Sequence, residues 1–214
     1  MLGSWLGAEI GGEIAVIEGL PEDTGEDELK SLAAAAASTG AVDLFHVAGV
    51  TPEAPTAAAA LGGEPPERTI ALTPAIIRAA RDRLSTTDDD GIDAIALGRP
   101  HFSVAEFTQL LALLRGRRAA VPFYVCTSRH VVEALRRDDR LWALDEAGVT
   151  IVADSCVMAA AILPPGGGVL MTNSAAFARQ APAATGYQAA FGGLEECVAS
   201  GVAGRIIRDE TLWL

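Results

Sequence analysis

Residues 121–155, VPFYVCTSRHVVEALRRDDRLWALDEAGVTIVADS, decide the fold class of this chain. The stretch opens with an apolar run rich in β-branched and aromatic residues, continues at helical spacing, and ends in a second β-branched run. Such runs are typical of buried strands, and the middle part is long enough for helices that connect them. A strand, a helical crossover and another strand indicate a parallel pair within an α/β fold.

The same alternation extends to both sides of this stretch. Further strands are predicted at 13–19, 41–49, 92–98 and 169–173, and further helices at 27–38, 73–84, 103–116, from 174 onward and at 194–202. We therefore predict a three-layer α/β fold with a mostly parallel sheet flanked by helices. The acidic turn TTDDDG is the expected boundary between subdomains 1–89 and 90–214. The first residues follow an apolar, strand-like pattern, and the segment TGYQAAFGG receives no element.

Polar side chains follow the predicted strands where each strand ends. Because the carboxyl ends of parallel strands meet at one edge of a sheet, a ligand site is expected there. The residues found at this edge are those of five segments, His46–Thr51, Arg99–Ser103, Cys126–Ser128, Asp154–Cys156 and Thr172–Ser174. Ser103 and Ser174 are also natural N-caps of the helices that follow. The sequence leaves open whether these loops cap helices or bind a carboxylate at the helix N-termini.

The composition disfavours several classes of partner. The formal net charge is −12 and the pI about 4.6, so the surface would repel nucleic acid and anionic membranes, and we expect neither as a partner. Three well-separated cysteines do not fit a secreted disulfide framework and favour a reducing cytoplasm. We also expect no membrane span and no targeting leader, because long apolar runs and a basic start are missing.

The three cysteines are the first candidates for chemistry. Cys126 lies inside a predicted strand, as a core residue would, and Cys197 lies on a predicted helix. Cys156 directly follows a strand, where a thiol is either a small buried filler or a metal ligand. No CxxC pair indicates a zinc site, so a metal centre would need ligands from separate loops. Phosphate-binding glycine loops and a GxSxG elbow are also missing, which disfavours a nucleotide-binding domain.

Five long segments of the chain resemble the aconitase X family of dehydratases. In chain order they are GAVDLFHVAGVTPEAPT, IDAIALGRPHFSVAEF, VTIVADSCVMAAAIL, VLMTNSAAFARQAPAATG and FGGLEECVASGVAGRI. The resemblance runs from about residue 2 to residue 208, with the segments in the order in which the family has them. It covers only the carboxyl-terminal half of the family's catalytic domain or large subunit.

The resemblance implies an iron–sulfur hydro-lyase that removes water from a small hydroxy acid, as family members do with cis-3-hydroxyproline and mevalonate 5-phosphate. It implies Cys156 and Cys197 as ligands of a 2Fe–2S or 4Fe–4S cluster. The expected hetero-oligomer contains a partner chain that supplies the family's amino-terminal half and the third ligand, and also a small swivel subunit. Ser174 and His101 are then the expected catalytic residues. The expected substrate-binding residues are Arg99, Ser103, Thr172, Asn173, His46 and Thr51.

Two departures from the family's pattern bear on the reaction. Where the family tends to have a lysine, this chain has Ala176, and Lys30 is its only lysine. Arg99 stands where a small or thiol residue is usual. Arg99 could clamp a second anionic group of the substrate or form a surface ion pair, and the sequence leaves both open. Ala176 supports an alternative function, a non-catalytic scaffold subunit that has kept the fold and lost the chemistry.

Overall fold

The computed structural model describes the backbone of residues 1–213 and the side chains of residues 1–211. The chain divides into two compact units, Met1–Ala80 (unit 1) and Arg81–Leu214 (unit 2). The boundary expected after residue 89 therefore falls inside unit 2. Among the described residues, no helix is both long enough and apolar enough to cross a membrane.

Unit 1 contains a two-stranded parallel sheet and helices packed around it. Its elements are α1 (Leu2–Ile10), β1 (Ala15–Ile17), α2 (Glu26–Thr39), β2 (Phe45–Val47), α3 (Ala57–Ala60) and most of α4 (Pro74–Asp82). β1 pairs with β2 in parallel, with Val16 opposite His46. Trp5, Leu6 and Val47 lie in the apolar core of this unit.

The beginning of the chain is helical, although its apolar pattern had suggested a strand. α1 packs closely against α2, and two glycines make this approach possible. A Cβ atom at Gly3 would lie 2.2 Å from the carbonyl oxygen of Leu32, and one at Gly7 would lie 2.2 Å from Oγ1 of Thr39. Contacts this short are incompatible with any larger side chain. Gly3 and Gly7 therefore form the surface of α1 that contacts α2.

Unit 2 is an α/β unit with a five-stranded sheet. Its elements are β3 (Ala94–Phe102), α5 (Val104–Leu114), β4 (Phe123–Thr127), α6 (Arg129–Arg137), α7 (Arg140–Glu146), β5 (Val149–Ala153), β6 (Gly168–Thr172), α8 (Ala175–Thr185), β7 (Tyr187–Phe191), α9 (Leu194–Ala203) and a 3₁₀ turn at Glu210–Trp213. All four strand pairs are parallel, in the order β5-β4-β3-β6-β7. The predicted fold class is confirmed, and β7 is the strand that the sequence pattern missed.

The two faces of this sheet carry separate apolar cores, because successive strand residues point to opposite sides. The first core contains Ile95, Leu97, Phe123 and Val125 from the strands, covered by side chains from α5, α6, α7 and α9. The second core contains Ala94, Ala96, Cys126, Leu170 and Tyr187, packed against Phe177 and Ala181 of α8 and against the segment 156–163. Helices, sheet and a second helical layer form the three layers predicted from the sequence.

The strand order places a reversal point beside β3. From β3 the chain first adds β4 and β5 on one side, and then returns to add β6 and β7 on the other. In open parallel sheets, ligands bind at the carboxyl ends of the strands on either side of such a reversal. The ends of β3 and β6 are therefore the expected centre of a site in unit 2.

Candidate functional site

Gly98 turns the end of β3 toward the reversal point. The pairing of β3 with β4 shifts register between Leu97 and Phe102, so the chain bulges between these residues. Gly98 has φ +89°, and a Cβ atom there would lie 2.1 Å from the carbonyl oxygen of Cys126. Only glycine accommodates both the left-handed backbone and this approach. The bulge determines where the next residue, Arg99, leaves the sheet.

The Arg99 side chain lies between a thiol and an aromatic ring. Its Nη1 atom is 4.0 Å from Sγ of Cys156, and the guanidinium carbon is 5.9 Å from the centroid of the Phe177 ring. The hydroxyl of Ser174 donates a hydrogen bond to the Arg99 carbonyl oxygen. The bulged part of β3 and the loops after β5 and β6, which are far apart in the sequence, therefore meet here. Arg99 is half-buried, and its guanidinium lies in cation–π contact with the ring.

The hydroxyls predicted at the end of β6 are engaged by the backbone. Ser174 is the N-cap of α8 and accepts the N–H of Phe177 at 3.2 Å, while it also donates to Arg99. Thr172 is fully buried, and its Oγ1 accepts the N–H of Ser174 at 3.1 Å. These two residues fix the loop geometry, and this weighs against Ser174 as a proton-transfer group. The structure shows no hydrogen bond between the half-buried Asn173 side chain and the described residues, which leaves its amide available.

At the end of β3, one predicted site residue is bound as a helix cap and another is exposed. Ser103 is the N-cap of α5 in a capping box, where its Oγ accepts the Glu106 N–H at 3.1 Å and its own N–H donates to the Glu106 carboxylate. The cap interpretation of Ser103 is thus the one that the geometry favours. His101 is exposed near the end of β3, two residues beyond Arg99.

His46 and Thr51 belong to unit 1, whereas the other predicted site residues belong to unit 2. His46 lies on β2 and is half-buried. Thr51 accepts the Val47 N–H at 3.0 Å and donates to the Val47 carbonyl at 3.1 Å, so its hydroxyl closes the turn after β2. Their assignment to the substrate remains a prediction.

The two cysteines predicted as cluster ligands lie on opposite faces of the sheet. Cys156 is half-buried at the carboxyl edge, against the second core. Cys197 is fully buried in the first core, where its thiol faces the Gly192 carbonyl oxygen at 3.8 Å. Burial raises the pKa of the Cys197 thiol far above its ordinary value, and ligation needs the thiolate. The two thiols therefore face different cores, and their assignment as ligands of one cluster stays a prediction.

Cys126 belongs to the second core, against which Cys156 packs. Its side chain is fully buried, and its sulfur interacts with the Val157 N–H and with Cys156. Burial raises the pKa of Cys126 to about 11, against the opposing effects of the Val157 N–H and Arg99. Among the side chains that the structure describes, no group of three or more His, Cys, Asp or Glu residues is placed to hold a metal ion.

The sequence placed Asp154 at this edge but did not indicate its pairing with Arg129. Asp154 follows β5 with φ +54° and accepts hydrogen bonds from both the backbone N–H and Nε of Arg129, the first residue of α6. These bonds hold the pKa of the Asp154 carboxyl below its ordinary value. The signal was an aspartate directly after a buried strand, a residue type that tolerates the left-handed backbone. Phe177 was missed because an aromatic residue on a helix is usually core.

Profiles built for two domains of one family match most of the chain. The aconitase X second domain matches residues 1–82, and the aconitase X third domain matches residues 92–203. The chain belongs to the aconitase X family. The resemblance found in the sequence is thereby confirmed.

The relatives of this chain that have a named activity are longer proteins than this chain. The chain is 40% identical over 218 residues to cis-3-hydroxy-L-proline dehydratase of Pseudomonas aeruginosa. This alignment covers 100% of the chain and 38% of that protein. It is 39% identical over 165 residues to the phosphomevalonate dehydratase large subunit of Methanothermobacter thermautotrophicus, across 77% of the chain and 40% of that subunit. The chain thus spans well under half the length of these relatives.

A solved aconitase X structure has the same fold. The crystal structure of Thermococcus kodakaraensis aconitase X in its holo form superposes with a TM-score of 0.77 at 24% sequence identity. The superposition covers 94% of this chain and 50% of that chain. At this identity the likeness establishes the architecture.

Proposed function

We propose that this chain is the carboxyl-terminal part of an aconitase X hydro-lyase that removes water from a small hydroxy acid. Relatives at 40% and 39% identity are named as dehydratases, and they support this reaction class. The observation that carries the proposal is the contact of Arg99 with Cys156, and with the loop that carries Asn173 through the Ser174 hydroxyl, at the reversal point of the sheet. A cation, a thiol and an amide at that edge are suited to binding a polar, acidic ligand.

Dehydration requires that the hydroxy acid be held while a hydroxyl leaves and a proton is removed from the neighbouring carbon. In this chain, the Arg99 guanidinium and the Asn173 amide are the groups that we assign to the substrate's oxygens. A guanidinium offers paired N–H donors to a carboxylate, and an amide offers both a donor and an acceptor. Ser174 and Thr172 act through the backbone, because they hold the loop that presents Asn173 and fix the Arg99 carbonyl.

A proton acceptor is needed beside the bound hydroxy acid. His101 is exposed at the same edge, and histidine is the side chain that most often transfers protons in general acid–base catalysis. We therefore assign the proton transfer to His101 in preference to Ser174, whose hydroxyl is engaged at both ends. Ser103 remains a helix cap beside this histidine.

An iron–sulfur cluster, when bound, would supply the Lewis acid that assists the departing hydroxyl. Cys156 is the thiol of this chain that we assign to such a cluster, because it reaches the carboxyl edge. Cys197 fits the first core and not this site. We propose that the remaining ligands come from a partner chain that supplies the family's amino-terminal half.

Further partners follow from the relatives' names. The relatives from Methanothermobacter thermautotrophicus and Methanosarcina mazei are phosphomevalonate dehydratase large subunits, and a large subunit implies a smaller one. We propose that a small swivel subunit completes the assembly over the carboxyl edge of unit 2. Its binding would exclude water while the hydroxy acid reacts.

A second function, a scaffold subunit without chemistry, is supported by Ala176. This residue lies in the first turn of α8, next to Phe177, and its side chain is buried. Where the family tends to have a lysine amine, this chain therefore has a buried methyl group that cannot take part in proton transfer. If the chain is such a scaffold, it stabilises the assembly while another subunit reacts.

The complex purified from cells that make this protein separates the two functions. We expect it to dehydrate cis-3-hydroxy-L-proline, with Cys156→Ala abolishing the activity and Cys126→Ala, a change in the neighbouring core thiol, retaining most of it. An intact complex whose dehydration rate is unaffected by Cys156→Ala would support the scaffold and refute the proposed role of this chain.

A further inference from the structure

Arg99 differs from the other arginines that are buried or half-buried in the described part of unit 2. These arginines are Arg81, Arg140 and Arg208. Arg81 pairs with Asp82 at 2.8 Å and with Glu210 at 3.3 Å, and Arg140 pairs with Asp138. Arg208 donates to the Phe191 carbonyl at 2.7 Å and to the Ser85 hydroxyl at 3.2 Å. Each of them directs its charge or its donors to oxygen atoms of the protein.

The Arg99 guanidinium donates to no oxygen atom among the described residues. Its polar contact is with the Cys156 sulfur at 4.0 Å, a weak acceptor at the limit of hydrogen-bond distance. The chain carries 28 acidic residues against 16 basic ones, so carboxylates are plentiful as partners for its arginines. The surface ion pair that the sequence left open for Arg99 is not formed with any described residue.

The position of Arg99 is nonetheless fixed. The Gly98 bulge sets its direction, Ser174 holds its carbonyl oxygen, and the Phe177 ring lies 5.9 Å from its guanidinium carbon. A cation held in place without a counter-ion at the ligand edge of a parallel sheet is preorganised for an anion from outside. Its planar, paired donors match a carboxylate better than a single-atom anion.

We propose that Arg99 is the specificity-determining residue of this site and binds a carboxylate of the ligand in the space beside Cys156 and Phe177. This inference rests on the proposed function in so far as that ligand is the hydroxy acid. Arg99 selects molecules that present a carboxylate to the reversal point, and it rejects neutral analogues of the same shape. It is a binding residue and takes no part in proton transfer.

Malonate is a suitable probe, because it is a small carboxylate without a reactive hydroxyl, and malonamide is its neutral analogue. Isothermal titration at low ionic strength is expected to show malonate binding to the wild-type protein and none of malonamide. Arg99→Gln is expected to weaken malonate binding at least about tenfold, as for the loss of a charge-assisted hydrogen bond. Arg99→Lys keeps the charge and loses the paired geometry, so it should fall between the two.

Arg129→Gln is the matched control, since Arg129 lies at the same edge and already pairs with Asp154. It should leave malonate binding within about twofold of wild type, given that a surface arginine paired elsewhere contributes little. The inference is overturned if wild type binds no malonate or binds malonamide equally well, if Arg99→Gln binds like wild type, or if Arg129→Gln loses as much. Thermal unfolding verifies that each variant is folded. If Arg99→Gln does not fold, the weakening of malonate binding is measured with Arg99→Lys instead.

The outcomes distinguish this inference from the proposed function. If malonate binding depends on Arg99 but the complex dehydrates no hydroxy acid, the binding site stands and the hydro-lyase function falls. If the complex dehydrates its substrate and Arg99→Gln leaves the KM for that substrate unchanged, the function stands and the role of Arg99 falls.

Discussion

The first core and the second core lie on opposite faces of one sheet, yet they are built from different residues. The first contains large side chains such as Phe107, Leu110 and Phe123 under a layer of four helices. The second is lined by alanines and a cysteine, against which α8 packs through Phe177 and Ala181. Small residues bring α8 close to the sheet, so its first turn reaches the carboxyl edge beside Arg99 and Cys156. We attribute most of the stability to the first face, and the proposed chemistry to the second.

The largest effect on the free energy of unfolding is expected for a substitution in the first core. Phe107 is fully buried and meets the Phe102 ring edge-on, with ring centroids 5.6 Å apart. Phe107→Ala should lower the free energy of unfolding by about 3–5 kcal/mol, because it removes a large apolar side chain and leaves a cavity. Urea unfolding measures this. Ile162→Ala, on the more exposed segment of the second face, should change it by less than about 1 kcal/mol, and an equal loss would contradict the assignment of stability to the first core.

The next largest loss of stability is expected at Gly98, in the bulge of β3 that leads to Arg99. Gly98→Ala should cost about 3 kcal/mol, because the new Cβ atom meets the Cys126 carbonyl and the backbone is left-handed. Malonate binding at Arg99 should weaken as well, since the bulge directs that residue. Gly116→Ala, with φ +70° but no atom within 4 Å of the added Cβ, is the control for backbone strain alone. Equal destabilisation by both variants would show that the close approach at Gly98 is unimportant.

A smaller effect separates the two serine caps. Ser103→Ala removes the N-cap bond of α5 and should cost about 1 kcal/mol. Ser174→Ala removes the cap of α8 together with the bond to the Arg99 carbonyl, so it should cost about 2 kcal/mol. Thermal unfolding compares the two, and malonate affinity should fall in the Ser174 variant alone. Identical behaviour in both measurements would mean that Ser174 does not position Arg99.

The smallest effect is a pH dependence at the edge of the second face. The pKa of Asp154 is lowered by its hydrogen bonds with Arg129, so the pair stabilises the folded state at neutral pH. This contribution should be lost as the pH falls below about 4 and Asp154 becomes protonated. Asp154→Asn should therefore reduce the difference in unfolding midpoint between pH 7 and pH 3 slightly, because the group is exposed. An unchanged difference would contradict the pair.

Much of the fold could be predicted from the pattern of residues, and its exceptions have physical causes. The alternation from 92 to 173 predicted β3 to β6 and the helices between them, because buried parallel strands are continuous apolar runs. β7 was missed because glycines flank it and Gln188 interrupts it. α1 was misread because its glycines serve a helix–helix contact.

The site was only partly predictable. Strand ends identified Arg99, Asn173 and Cys156, since the carboxyl edge follows from topology. Their contact was not predictable, because 57 residues separate Arg99 from Cys156 and the Gly98 bulge decides the direction of Arg99. Cys197 and Gly201 are four residues apart on α9, and both face the sheet. That spacing is typical of a core cysteine, whereas the ligand role of Cys197 rests on the resemblance to the family.

The iron content of the complex tests most directly the claim that the chemistry of this chain lies at Cys156 on the second face. After anaerobic reconstitution with iron and sulfide, Cys156→Ser should lose the bound iron and the visible absorbance of a cluster, while Cys197→Ser should keep both. Cys197→Ser should instead lower the free energy of unfolding by about 1–3 kcal/mol, because a hydroxyl replaces a thiol in an apolar core. Loss of iron in the Cys197 variant with full retention in the Cys156 variant would contradict the account.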